Sequence, residues 1–336
     1  MGIKDFSKVF KPAIIKPTDL KNMVGAFDAS VILYQSALGM QSVKGLTDSL
    51  GNPTIHINVL LLRVLNFIKN NTGQIWVLDY HEKGYISPDK EIETAKRQLK
   101  KHNAKKKLLE LENSKNTDDL FSDEDDDIER KINQQEKISF TMNDSIVNDC
   151  KFILDCLDIT WCISPKGIEA EQLCAELTLT DELDFVCDFV YSTDVDSLLY
   201  GAQQLVRSIK CKDKKVLQLY NLDNILNSNK LEMDDLLKIS VILGSDHSEK
   251  TPGVGPKTVI KKYKDIKLSK TQETALNVFK KPIYISSIVF SNEFDSVEPA
   301  SNNDKIIKLL DWLELKNFNR ERIKKQLLKV NDKLVI

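Results

Sequence analysis

Three apolar runs in this chain stop at an aspartate. Met23 to Phe27 runs into Asp28, Gln74 to Leu78 into Asp79, and Phe185 to Tyr191 is followed closely by Asp194. Each run has the length and apolar density of a strand buried on both faces, the habit of parallel sheets. Between the first two lies Ile57 to Ile68, apolar at helical spacing. Strand, helix and strand at this distance argue for parallel pairing. In an open parallel sheet the carboxyl ends of the strands converge on one crevice. The sequence therefore predicts an α/β fold whose crevice is lined with carboxylates.

The α/β pattern extends along the chain with one interruption. Val31 to Leu38 reads as a helix after the first strand. Beyond Ser145, Ile146 to Leu157 reads as a helix, Ile159 to Ile163 as a strand, Ile168 to Leu177 as a helix and Val216 to Tyr220 as a further strand. From Met233 the pattern is helical. Met233 to Leu243 and Pro256 to Tyr263 flank a Gly- and Pro-containing hairpin, and Asp304 to Val330 forms a helical tail. The expected organisation is 1–79 as an N-terminal region, 80–144 as an insertion, 145–232 as the resumed α/β region and 233–336 as the helical remainder.

The insertion is where charge is most uneven. Between Lys83 and Lys107 nine Lys or Arg stand against three acids, a net of +6, in a segment that reads as helical from Lys90. Asp123, Glu124, Asp125, Asp126, Asp127 and Glu129 follow within seven positions. The acidic stretch, within 118–129 and flanked by Asn, Ser and Thr, reads as a mobile loop. It could lie against the basic helix in place of a polyanion, or simply be a solvated linker.

Composition excludes several classes. A chain of 336 residues with 41% hydrophobic and 29% charged residues is ordinary for a globular protein. Its net charge of −2 does not by itself call for nucleic acid. Cys150, Cys156, Cys162, Cys174, Cys187 and Cys211 form no C-x-x-C pair, and no histidine stands near enough in sequence to suggest zinc. They read as reduced thiols of an intracellular protein. The run Val59 to Leu62 is far too short to span a bilayer. Met1-Gly2 is followed by no apolar signal core, and Phe6 stands where myristoylation needs Ser or Thr. The expected protein is intracellular, neither secreted nor membrane-bound.

Five segments carry the carboxylates: Asp28-Ala29-Ser30, Leu78-Asp79, Glu169-Ala170-Glu171, Asp194-Val195-Asp196 and Gly244-Ser245-Asp246. Any one alone reads as a helix cap more readily than as a ligand. Gathered in one crevice, they repel one another unless cations intervene. Hard divalent ions with oxygen ligands meet that need, Mg²⁺ above all, because it keeps several waters and takes few carboxylates directly. Two such ions together activate a water and stabilise the leaving oxygen in phosphodiester hydrolysis.

These segments, in this order, resemble the flap endonuclease family of XPG-type 5′ nucleases over nearly the whole chain. Met1-Gly2-Ile3-Lys4-Asp5-Phe6 looks like the family's opening. Asp28-Ala29-Ser30 with Tyr34-Gln35 looks like its first acidic motif, followed by Gly51-Asn52-Pro53-Thr54 and His56. Pro165 to Glu171 with Cys174-Ala175 is similar to its paired-glutamate motif. Ser192 to Asp196 with Leu198 and Gly201 resembles its paired-aspartate motif. Leu243 to Asp246, continuing to Gly253-Val254-Gly255-Pro256-Lys257, resembles the last acid and the hairpin beyond it.

The resemblance implies a PIN-like 5′ nuclease fold: a mixed, largely parallel sheet between helices, a helical arch, and a helix–two-turn–helix near the C-terminus. It implies Asp28, Asp79, Glu169, Glu171, Asp194, Asp196 and Asp246 as ligands of two Mg²⁺ ions, for which Mn²⁺ can substitute. It implies Lys90 and Arg97, about two helical turns apart, as the pair that holds the scissile phosphate. At the hairpin, Gly253, Gly255, Lys257 and Lys261, with Lys262 beside them, would meet duplex phosphates, with a K⁺ ion on main-chain carbonyls. Gly2 would lie near the DNA junction, and Tyr34 would stack on a terminal base. Contacts of this kind read shape and not sequence.

The expected activity is hydrolysis at single-strand/double-strand junctions in DNA, as a 5′ flap endonuclease and 5′-3′ exonuclease acting in replication, repair or recombination. The expected protein is a monomer, located in a nucleus or at a cytoplasmic site of replication. The chain departs from the family in the insertion Tyr80-His81-Glu82-Lys83 after Asp79, in its acidic stretch, and in carrying no recognisable sliding-clamp-binding motif. Rival readings are a 5′ exonuclease or Holliday-junction resolvase of the same family, a non-catalytic scaffold, and a PIN-like RNase. A scaffold would be expected to have broken acids, and all seven stand.

Overall fold

The computed structural model describes residues 3–33, 47–52, 54–80, 91–115, 131–132, 134–135, 143–180, 186–211, 214–281, 283, 288–291 and 302–330. Among them seven strands form one sheet: β1 (Ala13–Ile15), β2 (Val24–Asp28), β3 (Gly73–Leu78), β4 (Thr160–Ile163), β5 (Phe189–Tyr191), β6 (Gln204–Cys211) and β7 (Lys214–Asn221). Their order is β1-β7-β6-β5-β2-β3-β4. Pairings β2/β3, β2/β5, β3/β4 and β5/β6 are parallel, while β7 runs antiparallel to β6 and β1. The sheet is mixed and largely parallel, as the apolar runs imply.

Both faces of its centre are buried. Ala26, Ile75, Val77, Val190 and Leu205 enter one core, together with helices Ala170–Glu176 and Met233–Leu243. The alternate residues Phe27, Trp76, Leu78, Phe189, Tyr191 and Val206 enter a second core, beneath helices Ile55–Lys69 and Asp144–Cys156 and the C-terminal helices. The period-two alternation of strand side chains accounts for the partition. Aromatic rings lock the second face. Phe27 stacks on Trp76 and on Tyr191 at 5.1 Å each, and meets Phe67 edge-on at 4.7 Å.

Several elements differ from the sequence reading. The apolar pattern does not predict strands β1 and β6. Within β6 the apolar residues are interrupted by Arg207, Ser208 and Lys210, because β6 belongs to the antiparallel part of the sheet, where one face needs less apolar cover than in the parallel centre. The helix expected from Ile168 spans Ala170–Glu176, with Glu169 as its N-cap residue. The expected helical tail is two helices, Asn302–Leu315 and Arg320–Leu328, broken at Asn317 with φ of 64°. The structure adds a helix at Lys270–Phe279 that the sequence reading does not include. The basic segment is helical over Glu91–Lys115, whereas Lys90, the acidic stretch 118–129, Gly2 and Tyr34 lie outside the described residues.

The turn after helix Met233–Leu243 is tied down from three sides. Gly244 has φ of +93°, and a Cβ there would meet the Lys250 backbone nitrogen at 2.8 Å, so glycine is required. The Lys4 amide donates to the Gly244 carbonyl at 3.0 Å, and Lys250 Nζ reaches Asp5 at 3.1 Å. Gln272, buried on helix Lys270–Phe279, donates from Nε2 to the carbonyls of Val241 (3.0 Å) and Glu249 (3.2 Å) and to Thr251 Oγ1 (2.9 Å). Asp246 and the hairpin beyond it are thereby fixed to the N-terminal segment and to the helical region.

Cys150, Cys156, Cys162, Cys174 and Cys187 are free and buried. Burial pushes the thiols of Cys150 and Cys162 up to about 12, which leaves them protonated and unreactive. No described helix is long and apolar enough to cross a membrane.

Candidate metal centre

The carboxyl ends of the strands place the acids. Asp28 closes β2, in register with Val77 of β3, and its neighbour Phe27 is in register with Tyr191 of β5. Its Oδ1 accepts from the Val31 amide at 3.1 Å, and its Oδ2 from Ser192 Oγ at 3.1 Å. Ser192 Oγ in turn accepts from the Asp194 amide at 3.1 Å, so one hydroxyl spans the ends of two strands. Asp194 Oδ1 accepts from the Asp196 amide at 3.2 Å, which folds Asp194-Val195-Asp196 back on itself. Asp79, just past β3, accepts from the Ala170 amide at 2.9 Å. That bond seats the start of helix Ala170–Glu176, hence Glu169 and Glu171, beside the strand ends.

Glu171, Asp194 and Asp196 form the tightest group: a carboxylate oxygen of each lies within 4.8 Å of the others, and all three residues are buried. Asp28 is only 1% exposed. Desolvation, the Asp79 charge and, more weakly, the Asp194 charge push its carboxyl up to about 8. Glu169, Glu171, Asp196 and Asp194 all act electrostatically on the phenol of Tyr200. Six of the seven sequence-derived acids thus share one electrostatic neighbourhood. The seventh, Asp246, stands in the turn at Ser245–Ser248. It is connected through its neighbour His247, whose ring packs on Phe279 at 5.4 Å, and Phe279 packs on Tyr200 at 5.2 Å.

The donor set fits a hard divalent cation. Its candidate ligand atoms are all carboxylate oxygens, and a cation would offset the burial and neighbouring negative charge that keep a proton on Asp28. The group Glu171, Asp194 and Asp196 could hold such an ion. Two participants, Ser192 and Tyr200, are absent from the sequence-derived set. Ser192 carries a signal, a small hydroxyl at the end of a wholly apolar strand; Tyr200 stands four residues after Asp196, a helical spacing.

The other sequence-derived residues fall elsewhere. Arg97 lies on helix Glu91–Lys115. Gly253 has φ of +75°, and a Cβ at Gly253 or Gly255 would meet nothing within 4 Å among the described residues. Gly255 has ordinary extended backbone, so nothing inside the fold demands glycine there. Lys257 and Lys261 are exposed on helix Pro256–Lys262.

Residues 158–246, which span the acids from Glu169 to Asp246, match the family described as the XPG I-region. Over its full length the chain is 29% identical to flap endonuclease 1 of Nanoarchaeum equitans across 366 residues, covering 99% of this chain and 98% of the relative. Flap endonuclease 1 of Methanococcus aeolicus is 26% identical across 337 residues, covering 99% and 91%. Over nearly its whole length the chain is similar to flap endonuclease 1. Among solved structures, flap endonuclease-1 from Methanococcus jannaschii has the same fold, with a TM-score of 0.68 at 21% identity and 98% coverage of both chains. Human GEN1, solved with Holliday junction DNA, matches with a TM-score of 0.62 at 15% identity, covering 98% of this chain and 77% of that one. The region that matches the XPG I-region carries Glu169, Glu171, Asp194, Asp196 and Asp246, while Asp28 and Asp79 lie before it.

The raised carboxyl of Asp28 sets a pH dependence for the metal-free protein. Between its ordinary value of 3.8 and about 8, Asp28 is protonated when folded and ionised when unfolded. The unfolded state therefore binds fewer protons, and stability falls as pH rises through that window, by up to about 1.4 kcal/mol per pH unit. With EDTA present, the unfolding midpoint in urea should drop from pH 5 to pH 8. Saturating Mg²⁺ or Mn²⁺ should recover much of the loss at pH 8, and Asp28→Asn should flatten the slope. A flat profile in the wild type would show that the crowding is not felt.

Proposed function

We propose that this chain is a structure-specific 5′ nuclease that uses two Mg²⁺ ions to hydrolyse phosphodiesters near single-strand/double-strand junctions in DNA. The observation that carries the reading is the buried group Glu171, Asp194 and Asp196, set at the ends of parallel strands beside Asp28, Asp79 and Glu169. The names of the full-length relatives point to a flap as the substrate class, and the solved relative with Holliday junction DNA supports extending it to branched DNA in general. A role in DNA replication, repair or recombination follows from that substrate. Trimming of 5′ ends as an exonuclease is part of the same proposal.

Glu171, Asp194 and Asp196 would hold one ion directly. Asp28, Asp79, Glu169 and Asp246 would complete a two-ion centre, in which Mn²⁺ can substitute for Mg²⁺. Bound there, the ions supply an activated water and charge stabilisation for the leaving oxygen. The chain's own residues do the rest. Ser192 holds Asp28 and the Asp194 amide in fixed register, so these two acids need no rearrangement when substrate arrives. Asp79 anchors the helix that carries Glu171. Lys90 and Arg97, on or beside the arch helix, would hold the scissile phosphate with positive charge.

Duplex DNA would be gripped at the hairpin. Its two glycines leave open space at the surface, and Lys257 and Lys261 stand exposed next to them. A phosphate backbone can approach such a surface closely, and a K⁺ ion on main-chain carbonyls would strengthen it. Gly2 at the junction and Tyr34 stacked on a terminal base would complete the recognition of a branch. The protein would act as a monomer in the compartment that holds the DNA.

The assignment is tested by separating chemistry from binding. Asp194→Ala or Glu171→Ala should lower single-turnover cleavage of an end-labelled 5′ flap by at least about 1000-fold, roughly 4 kcal/mol in the barrier. Gel-shift affinity for the same DNA should change little. More than about a tenth of the activity remaining in both variants would overturn the assignment.

The grip makes a separate forecast. Replacing Lys257 and Lys261 with Ala should weaken binding to flap, nicked and blunt duplexes alike. It should also flatten the plot of log affinity against log salt by about one unit for each phosphate no longer neutralised. An unchanged slope would move the duplex surface away from the hairpin.

A further inference from the structure

Tyr200 carries a hydroxyl that the packing of the fold does not use. Its residue lies just past helix Asp196–Leu199, with its amide donating to the Asp196 carbonyl at 3.1 Å. The side chain therefore sits over the same side of the turn as Asp196, at a separation of four. Its ring packs against Phe279 at 5.2 Å, a contact that phenylalanine would make equally well. The hydroxyl oxygen is fully buried and has no hydrogen-bond partner among the described residues. Buried phenols nearly always find one, because an unmet donor loses its water without replacement.

Four acids lie close enough to act on this hydroxyl. Glu169, Glu171, Asp196 and Asp194 act on it, and together with burial they hold the phenol protonated, well above its ordinary range. It is thus a donor set among carboxylates yet bonded to none of them. Mg²⁺ enters such a centre with waters still attached, and those waters need hydrogen-bond acceptors and donors around them.

We infer that Tyr200 is a positioning residue of the carboxylate centre, its O–H held for an oxygen of the cation's hydration shell. The inference rests on the metal-centre reading above. It assigns a role to a hydroxyl in a place where an aromatic ring alone would satisfy the core. Phe279 and the His247 ring behind it fix the phenol's direction and connect it to the turn that carries Asp246.

The test uses the full chain, stripped of metal with EDTA and dialysed. Mn²⁺ binding by titration calorimetry is compared between wild type and Tyr200→Phe, alongside the urea midpoint of both stripped proteins. The expected result is a Mn²⁺ affinity about 10-fold weaker in the variant, typical of removing an outer partner of a metal site. The stripped variant should be as stable as wild type or more so, because a buried unmet donor has gone. Equal Mn²⁺ affinity in the two proteins would overturn the inference alone. No Mn²⁺ binding by wild type would overturn the metal-centre reading, and this inference with it. Weaker binding accompanied by a lower urea midpoint would assign Tyr200 to packing and overturn its positioning role.

Discussion

Mutual repulsion among buried carboxylates is the constraint on which the rest of this structure depends. Glu171, Asp194 and Asp196 bring oxygens within 4.8 Å of each other, and burial together with the Asp79 charge pushes Asp28 beside them up to about 8. No chain gains stability by gathering acids in this way. The arrangement is sensible as one half of a site whose other half is a cation. Hydrogen bonds from Ser192 and from the Val31 and Ala170 amides direct the carboxyl groups but supply no counter-charge.

Holding such a centre open requires a rigid frame. The sheet supplies it because both of its faces are buried, with the aromatic set Phe27, Phe67, Trp76 and Tyr191 filling one side directly below Asp28 and Ser192. The helical region is joined to that frame by a second device, the clamped turn at Gly244 to Thr251. Lys4, Asp5 and Gln272 all bond to it. The hairpin proposed to grip the duplex leaves this same turn. The spacing between this hairpin and the acids is therefore held by main-chain and side-chain hydrogen bonds, which suits the proposed reading of DNA shape and not sequence.

Much of this is legible in the sequence, for physical reasons that can be named. Strands buried on both faces are continuously apolar, so β2 and β3 and their terminal acids Asp28 and Asp79 stand out. Strands of the antiparallel part of the sheet are not, and β1 at the edge and β6 inside it escape the pattern: Ile14 is 64% exposed, and Arg207 and Lys210 interrupt β6. Glu169 and Glu171 are readable as a pair, but the apolar spacing extends their helix two residues too far forward, because Ile168 fits that spacing while Glu169 is the N-cap residue. Ser192 and Tyr200 are not legible as partners of the acids. Which hydroxyl meets which carboxylate depends on register between strands distant in sequence, as in the pairing of Phe27 with Tyr191. Local pattern carries no such information.

The central claim is that these acids make a divalent-cation centre, and anomalous diffraction tests it most directly. Crystals of the wild-type chain soaked in Mn²⁺ would be measured near the manganese absorption edge. The account predicts one peak touching Glu171, Asp194 and Asp196, and a second about 3.5–4 Å from it toward Asp28 and Asp79. A crevice without a peak at saturating Mn²⁺, or peaks confined to surface acids elsewhere, would contradict it.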